Sequence, residues 1–135
     1  MNAVVSTITQ LLPAEIITTD PEQITLYSQD VFTVGPPICA VVRPRNIDEV
    51  QALVRACLER GTPIVTRGGG MSYTSGYIAS APDSVLIDMA SMDAIVEVNL
   101  EDRYVTVEAG CSWQKLHEHL APLGVRTAYW GTLSG

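Results

Sequence analysis

The sequence predicts an α+β fold, on three observations: a strand, helix, strand succession in its first half, an alternating β-hairpin in its second, and a length that allows one core. The chain has 135 residues, 47% of them hydrophobic and 17% charged. That is one domain's worth of protein, and folding buries on the order of two thirds of the unfolded chain's surface. Such a composition can fill a core, which excludes intrinsic disorder.

The helix signals place the elements. In DPEQITLYSQD, Asp20 can cap, Pro21 fits the first helical position and Gln23 stands three after the cap, so a short helix opens there. A second capping box, Asn46 to Glu49, opens a longer helix. Its Ile47, Val50, Leu53, Val54, Cys57 and Leu58 recur at helical spacing on one core-facing side, and Gly61 follows its end. Two β-type runs flank it, Cys39 to Arg43 and Pro63 to Thr66, and such a unit is expected to be parallel with a right-handed crossover. Val85 to Met89 reads as another buried strand.

Beyond it, Ala94 to Asn99 and Arg103 to Ala109 alternate, with Val105, Val107 and Ala109 on one face and Tyr104, Thr106 and Glu108 on the other. A short acidic turn between them completes a predicted hairpin. From about Ser112, Trp113, Leu116, Leu120 and Leu123 keep helical spacing until Pro122 and Gly124 end the helix. The chain stops inside WGTLSG, small and polar residues of loop type. The expectation is an N-terminal piece of something longer, with a frayed tail on a small protein as the competing reading.

Charge and composition exclude several function classes. Eight basic against fifteen acidic side chains give a formal net charge of −7. No global positive field attracts phosphate backbones or anionic lipid, so no nucleic-acid partner is expected. The apolar runs fall far short of the roughly 18 residues of a membrane span, and MNAVVSTITQ has no basic region before an apolar stretch. A soluble, cytoplasmic protein is expected. Cys39, Cys57 and Cys111 are too few and too scattered for a disulfide scaffold, so buried thiols are expected. His117 and His119 stand two apart on a predicted helix and point to different faces, which gives no support to a metal site.

The chemically informative segment is PIVTRGGGMSYTSG, Pro63 to Gly76, where a strand runs directly into Arg67, three glycines and then Ser72, Tyr73, Thr74 and Ser75. Adjacent glycines cost backbone entropy, and the usual compensation is a positive φ or a ligand that must touch the main chain. Successive free N–H groups make a concave anion site to which nearby hydroxyls can donate, so a phosphate or pyrophosphate is the expected guest. A plain flexible turn explains the glycines equally well. A P-loop is absent, because no lysine follows the glycines. The dinucleotide fingerprint matches at Gly68, Gly70 and Asp88 but has Tyr73 for its third glycine, and Tyr73 to Pro82 lacks helical periodicity. Asp88 therefore reads as an ordinary strand-end residue, and Trp113 and Tyr104 as packing residues. Arg67 can offset anion charge, or can form a surface ion pair.

Three stretches in order, AVVRPRNIDEVQALVRACLERGTPIVTRGGGMSYTSG, VLIDMASMDAIVEVNLEDRYVTVEAGCSWQKLHEHLAPLG and WGTLSG, resemble the N-terminal part of the FAD-binding domain of the vanillyl-alcohol oxidase and para-cresol methylhydroxylase type. The resemblance runs from about Tyr27 to the last residue. It joins the arginine and triple glycine, the Leu-Ile-Asp-Met strand followed by Ser91 and Met92, the hairpin ending in VEAG and the succeeding helix. It implies a domain of two α+β lobes with FAD in the crevice between them. Residues 1–36 would form an N-terminal helical segment, and residues 37–135 the truncated FAD-binding domain, with the first βαβ lobe and the start of a second, antiparallel lobe.

The resemblance further implies that Thr66, Arg67, Gly68, Gly69, Gly70, Met71 and Ser72 wrap the FAD pyrophosphate. Trp130, Gly131, Thr132, Ser134 and Gly135 would begin a second segment that approaches the flavin from the other lobe. Many relatives carry a flavin-attaching histidine directly after the glycines, but this chain has Met71, so noncovalent FAD is expected. The implied activity is an oxidoreductase whose flavin accepts a hydride equivalent from a small organic substrate such as a 2-hydroxy acid or alcohol. The substrate-positioning groups of such proteins lie on a second domain, so no catalytic residue is assigned here. The alternatives are an NADPH-dependent flavin reductase resembling the UDP-N-acetylenolpyruvoylglucosamine enzyme, a non-catalytic flavin-binding module, and a structural fragment without ligand. Unfilled apolar surface on such a fragment favours self-association, which keeps a homo-oligomer among the expectations.

Overall fold

A computed structural model describes residues 2–129. The first helix, Ala3–Leu11 (α1), is capped by the Asn2 side chain, which accepts the Val4 N–H at 3.1 Å. Spacing did not predict this helix, because Val4, Val5, Thr7, Ile8 and Thr9 are β-branched and weaken the local helix preference. Packing overrides propensity here: Val4, Val5 and Ile8 are buried in the main core. A two-residue strand, Ile17–Thr18 (β1), and the capped helix Pro21–Tyr27 (α2) follow, with Asp20 accepting the Gln23 N–H as predicted.

The central sheet is built from Ala40–Val42 (β2), Ile64–Arg67 (β3) and Val85–Asp88 (β4), with the helix Ile47–Glu59 (α3) joining the first two. Its order is β1-β2-β4-β3, with β1 antiparallel to β2 and the other pairs parallel. The predicted strand, helix, strand unit is therefore present, but its two strands are not neighbours. All four residues of β4 are buried, so it takes the centre, and the half-buried β3 takes the edge.

One face of the sheet, with Ala40, Val42, Val85 and Ile87, packs on α1 and α3. On the other, Val41 and Leu86 meet Ile38 and Ala79, with Ile24 and Tyr27 of α2 alongside. Helix α3 buries Leu53, Ala56 and Cys57, while Ile47 and Leu58, expected on the core side, are 64% and 70% exposed. At about 100° per residue they lie roughly 120° and 140° around the helix from Leu53, outside the stripe that α1 covers. Of the three thiols only Cys57 is fully buried, Cys39 and Cys111 being half-buried. Desolvation pushes the Cys39 thiol up to about 11.

The second half departs from this sheet. Ile95–Asn99 (β5) and Tyr104–Val107 (β6) form the predicted antiparallel hairpin, with an irregularity between Ile95 and Glu97. The expected inward face is only partly realised: Val105 is half-buried, whereas Val107 and Ala109 are exposed, because two strands alone enclose no core. The last helix, Trp113–Leu120 (α4), is capped by Ser112 and buries Leu116 and Leu120, but Trp113 and Leu123 stay 38% and 46% exposed. Gly124, at φ +72°, ends the turn that follows α4.

Leu53→Ala is expected to cost about 2–5 kcal/mol, the range for emptying a packed core site. Leu58→Ala stays within about 0.5 kcal/mol. Urea unfolding of both variants checks this, and equal losses would place the core stripe of α3 elsewhere.

Candidate functional site

Strands β2, β4 and β3 run parallel, so their carboxyl ends lie at one end of the sheet, where parallel sheets bind ligands. Three polar residues follow the apolar runs there: Arg43, Arg67 and Asp88. Asp88 has no exposed surface. Its Oδ2 accepts from Tyr27 Oη at 2.9 Å and from Arg43 Nε and Nη2 at 3.0 and 2.6 Å, and its Oδ1 accepts the Ala90 N–H at 3.1 Å. Arg43 Nη2 also donates to Tyr27 Oη at 2.7 Å. Asp88 is thus not an ordinary strand-end residue: it is the buried anchor of α2, β2 and β4. The sequence signal for it was an aspartate closing a wholly apolar strand, with an arginine closing another.

Arg67 is held differently. Its guanidinium carbon lies 4.8 Å from the Tyr27 ring centroid and 5.4 Å from that of Tyr77, and among the described residues it makes no ion pair. Aromatic faces attract the cation and leave its planar group stacked. Gly70 sits directly against it: at φ +73° it adopts a left-handed conformation, and a Cβ there would overlap the guanidinium. Tyr77 Oη donates to the Gly70 carbonyl at 2.9 Å. One tyrosine thus both stacks on Arg67 and pins the last glycine.

The backbone donors of the loop are left over. From Gly68 to Tyr73, no N–H has a partner among the described residues. Six successive donors without a partner among the described residues are the kind of group that main-chain nests offer to an anion. In this structure two of the hydroxyls bond within the loop and to its neighbour. Ser72 Oγ accepts from the Thr74 and Gly76 N–H groups at 3.2 and 2.9 Å, and Ser75 Oγ donates to Thr33 Oγ1 at 3.2 Å. Thr66 and Met71 are exposed beside the glycines. Trp130, Gly131, Thr132, Ser134 and Gly135 lie outside the described residues.

Two neighbours complete the surroundings. The chain leaving the hairpin packs on the loop, so that a Cβ on Gly68 would stand 3.3 Å from the Ala109 carbonyl and one on Gly110 would overlap the Met89 carbonyl. On the other side the segment after α2 contributes Asp30. Its Oδ1 accepts the N–H groups of Phe32 and Thr33 at 2.9 and 2.7 Å, and its Oδ2 accepts the Ser75 N–H at 3.1 Å. These backbone donors, Phe32 first, hold the Asp30 carboxyl below its ordinary value. A cavity of about 300 Å³ lies here, lined by Leu26, Tyr27, Asp30, Arg67 and Tyr77 among others. A larger hollow of about 710 Å³, between the hairpin and the chain after α4, contains none of the glycine loop. The unpaired donors mark the glycine loop as the candidate site in preference to that hollow.

A family model described as an FAD binding domain matches residues 38–134. The mitochondrial D-lactate dehydrogenase (cytochrome) of Arabidopsis thaliana is 36% identical over 85 residues, which is 63% of this chain and 15% of that protein. Among solved structures, the 4-ethylphenol oxidase of Gulosibacter chungangensis superposes with a TM-score of 0.80 at 25% identity, covering 90% of this chain and 24% of that one. A p-cresol methylhydroxylase with substrate bound gives a TM-score of 0.75 at 24% identity over the same shares. The chain thus spans a quarter or less of each of these relatives.

Two outcomes are expected from the site's electrostatics. Removing one partner of a fully buried ion pair costs about 3–5 kcal/mol, but the Arg43 side chain is 48% exposed and water screens the remainder. Arg43→Ala therefore costs about 1–3 kcal/mol in chemical unfolding, and a cost near zero would remove Asp88 as the anchor. For Asp30 the N–H bonds favour the ionised form, so its hold on Ser75 is complete above the ordinary value of 3.8 and is lost as the pH falls through the lowered one. The amide shifts of Phe32, Thr33 and Ser75 titrate together below 3.8, and a midpoint at or above that value would contradict the geometry.

Proposed function

The chain belongs to the family of FAD binding domains, and from that membership we propose that its Arg67 to Ser72 loop holds the pyrophosphate of FAD in an oxidoreductase acting on a small hydroxylated substrate. The observation that carries the proposal is the run of six N–H groups from Gly68 to Tyr73, unpaired among the described residues, at the carboxyl end of a parallel strand. Such groups offer fixed donors to two phosphates without requiring a lysine or a helix terminus. Gly68 and Gly70 fit a bound group for steric reasons also, because side chains there would meet Ala109 or Arg67.

Bound FAD would supply the redox chemistry by accepting a hydride equivalent. The residues of this chain bind and orient. In the proposal, Thr66 and Arg67 end the strand that aims the loop, Gly68, Gly69, Gly70, Met71 and Ser72 present the main chain to the pyrophosphate, and Trp130, Gly131, Thr132, Ser134 and Gly135 begin a second contact. A 2-hydroxy acid is the favoured substrate class, since one relative is a D-lactate dehydrogenase. The relatives named include a dehydrogenase and an oxidase, which supports oxidation over the NADPH-dependent reductase reading. Met71 stands directly after the glycines, and its thioether forms no bond to the flavin methyl group, so the cofactor is noncovalent in this reading.

Acid precipitation of the flavin-loaded protein tests the attachment: yellow supernatant is expected, and colour retained in the pellet would mean a covalent link. Gly70→Ala forces a left-handed alanine against Arg67, and left-handed backbone alone costs roughly 1–2 kcal/mol. The FAD dissociation constant is expected to rise about tenfold or more. An unchanged constant would exclude this loop from the cofactor site.

A further inference from the structure

Tyr27 and Asp30 precede the region that the family model matches, which begins at residue 38. Nevertheless both touch the glycine segment. Tyr27 lies against Arg67 at the start of the loop, and Asp30 accepts the Ser75 N–H at its far end. We infer that residues 27–33 form a clamp that holds the glycine loop at both ends, with Tyr27 and Asp30 as positioning residues for FAD binding. This rests on the reading of the loop as the pyrophosphate site.

The entry side of the clamp is rigid because Tyr27 is itself fixed. Its hydroxyl donates to the buried Asp88 carboxylate and accepts from Arg43, so the ring cannot slide without breaking both bonds. The ring presses one side of the Arg67 guanidinium while Tyr77 stacks on it too and bonds the Gly70 carbonyl. Arg67 in turn occupies the volume that any side chain at Gly70 would need. The chain of contacts therefore runs from a buried carboxylate to the backbone of the third glycine.

The exit side answers a different need. Ser75 has φ +56°, a conformation unfavourable for a residue with a Cβ. Two contacts with the clamp oppose that cost: Asp30 Oδ2 takes its N–H, and Thr33 Oγ1 takes its hydroxyl at 3.2 Å. Phe32 and Tyr73 add a ring contact across the same gap, with centroids 5.9 Å apart. Between these ends the donors from Gly68 to Tyr73, without partners among the described residues, are held in one arrangement. Holding them before the ligand arrives removes ordering entropy from the binding step.

Asp30→Asn separates the clamp from ordinary folding effects. The asparagine keeps Oδ1 for Phe32 and Thr33, but its amide nitrogen cannot accept the Ser75 N–H. Two readouts are made on the full chain: amide exchange at Thr74 and Gly76 without FAD, and the FAD dissociation constant. The parent and Tyr77→Phe, which deletes only the bond to Gly70, are measured beside it. Faster exchange at Thr74 and Gly76, neither of which touches Asp30, with a several-fold weaker FAD affinity in both variants and unchanged thermal midpoints, is the expected result. Unchanged exchange in Asp30→Asn overturns the clamp whether or not FAD binds. Faster exchange with unchanged affinity overturns its role in binding. A parent chain that binds no FAD refutes the reading of the site itself, while the exchange result still decides the clamp.

Discussion

A carboxylate without exposed surface, Asp88, sits at the end of the central strand, and the site end of the molecule is organised around it. An ionised group in such a place requires several donors to replace water, and four are supplied: Tyr27 Oη, two Arg43 nitrogens and the Ala90 N–H. They come from three separate parts of the chain. Meeting that requirement brings α2, β2 and the turn after β4 to one point. It also gives Tyr27 a fixed position, and through the ring of Tyr27 that order passes to Arg67.

The glycine loop shows the opposite economy of hydrogen bonds. No buried side-chain polar atom near Asp88 is left unpaired, whereas six consecutive backbone donors of the loop have no partner among the described residues. Their arrangement is maintained indirectly, by a cation between two rings, a tyrosine hydroxyl on the third glycine, and an aspartate on Ser75. Side chains hold the loop, while its main chain from Gly68 to Tyr73 makes no hydrogen bond through its N–H groups among the described residues. That division explains why the hydroxyls of Ser72 and Ser75 are turned into the loop and its neighbour.

The hairpin and α4 relate to the site through backbone contact more than through a core. Gly110 fits only because its missing Cβ leaves room for the Met89 carbonyl, while its N–H reaches the Met92 carbonyl at 2.8 Å. This close approach ties the end of β6 to the turn after β4, next to Gly68 and the Ala109 carbonyl. Val96, Tyr104 and Val107 of the hairpin remain exposed, as expected of a two-stranded sheet.

Much of this was legible in local pattern. The caps at Asp20, Asn46 and Ser112, the apolar strands, the alternating hairpin and the cost of three adjacent glycines all depend on residues close in sequence, where spacing and side-chain chemistry suffice. The family resemblance and its FAD cofactor followed from the order of those segments. Other features depend on pairs far apart, for which one sequence has no register. The insertion of β4 between β2 and β3 reflects which strand is most completely apolar once both sheet faces are covered. The exposure of Ile47 and Leu58 follows from where α1 lies. Asp88 with Arg43 spans 45 residues, and Asp30 with Ser75 another 45. A lone aspartate or arginine carries no local mark of its partner, because the partner is chosen by burial and distance. The sequence by itself therefore determined the elements from α2 onward and the loop's glycine-rich character, while only the tertiary structure decided that α1 forms and which side chains hold that loop in place.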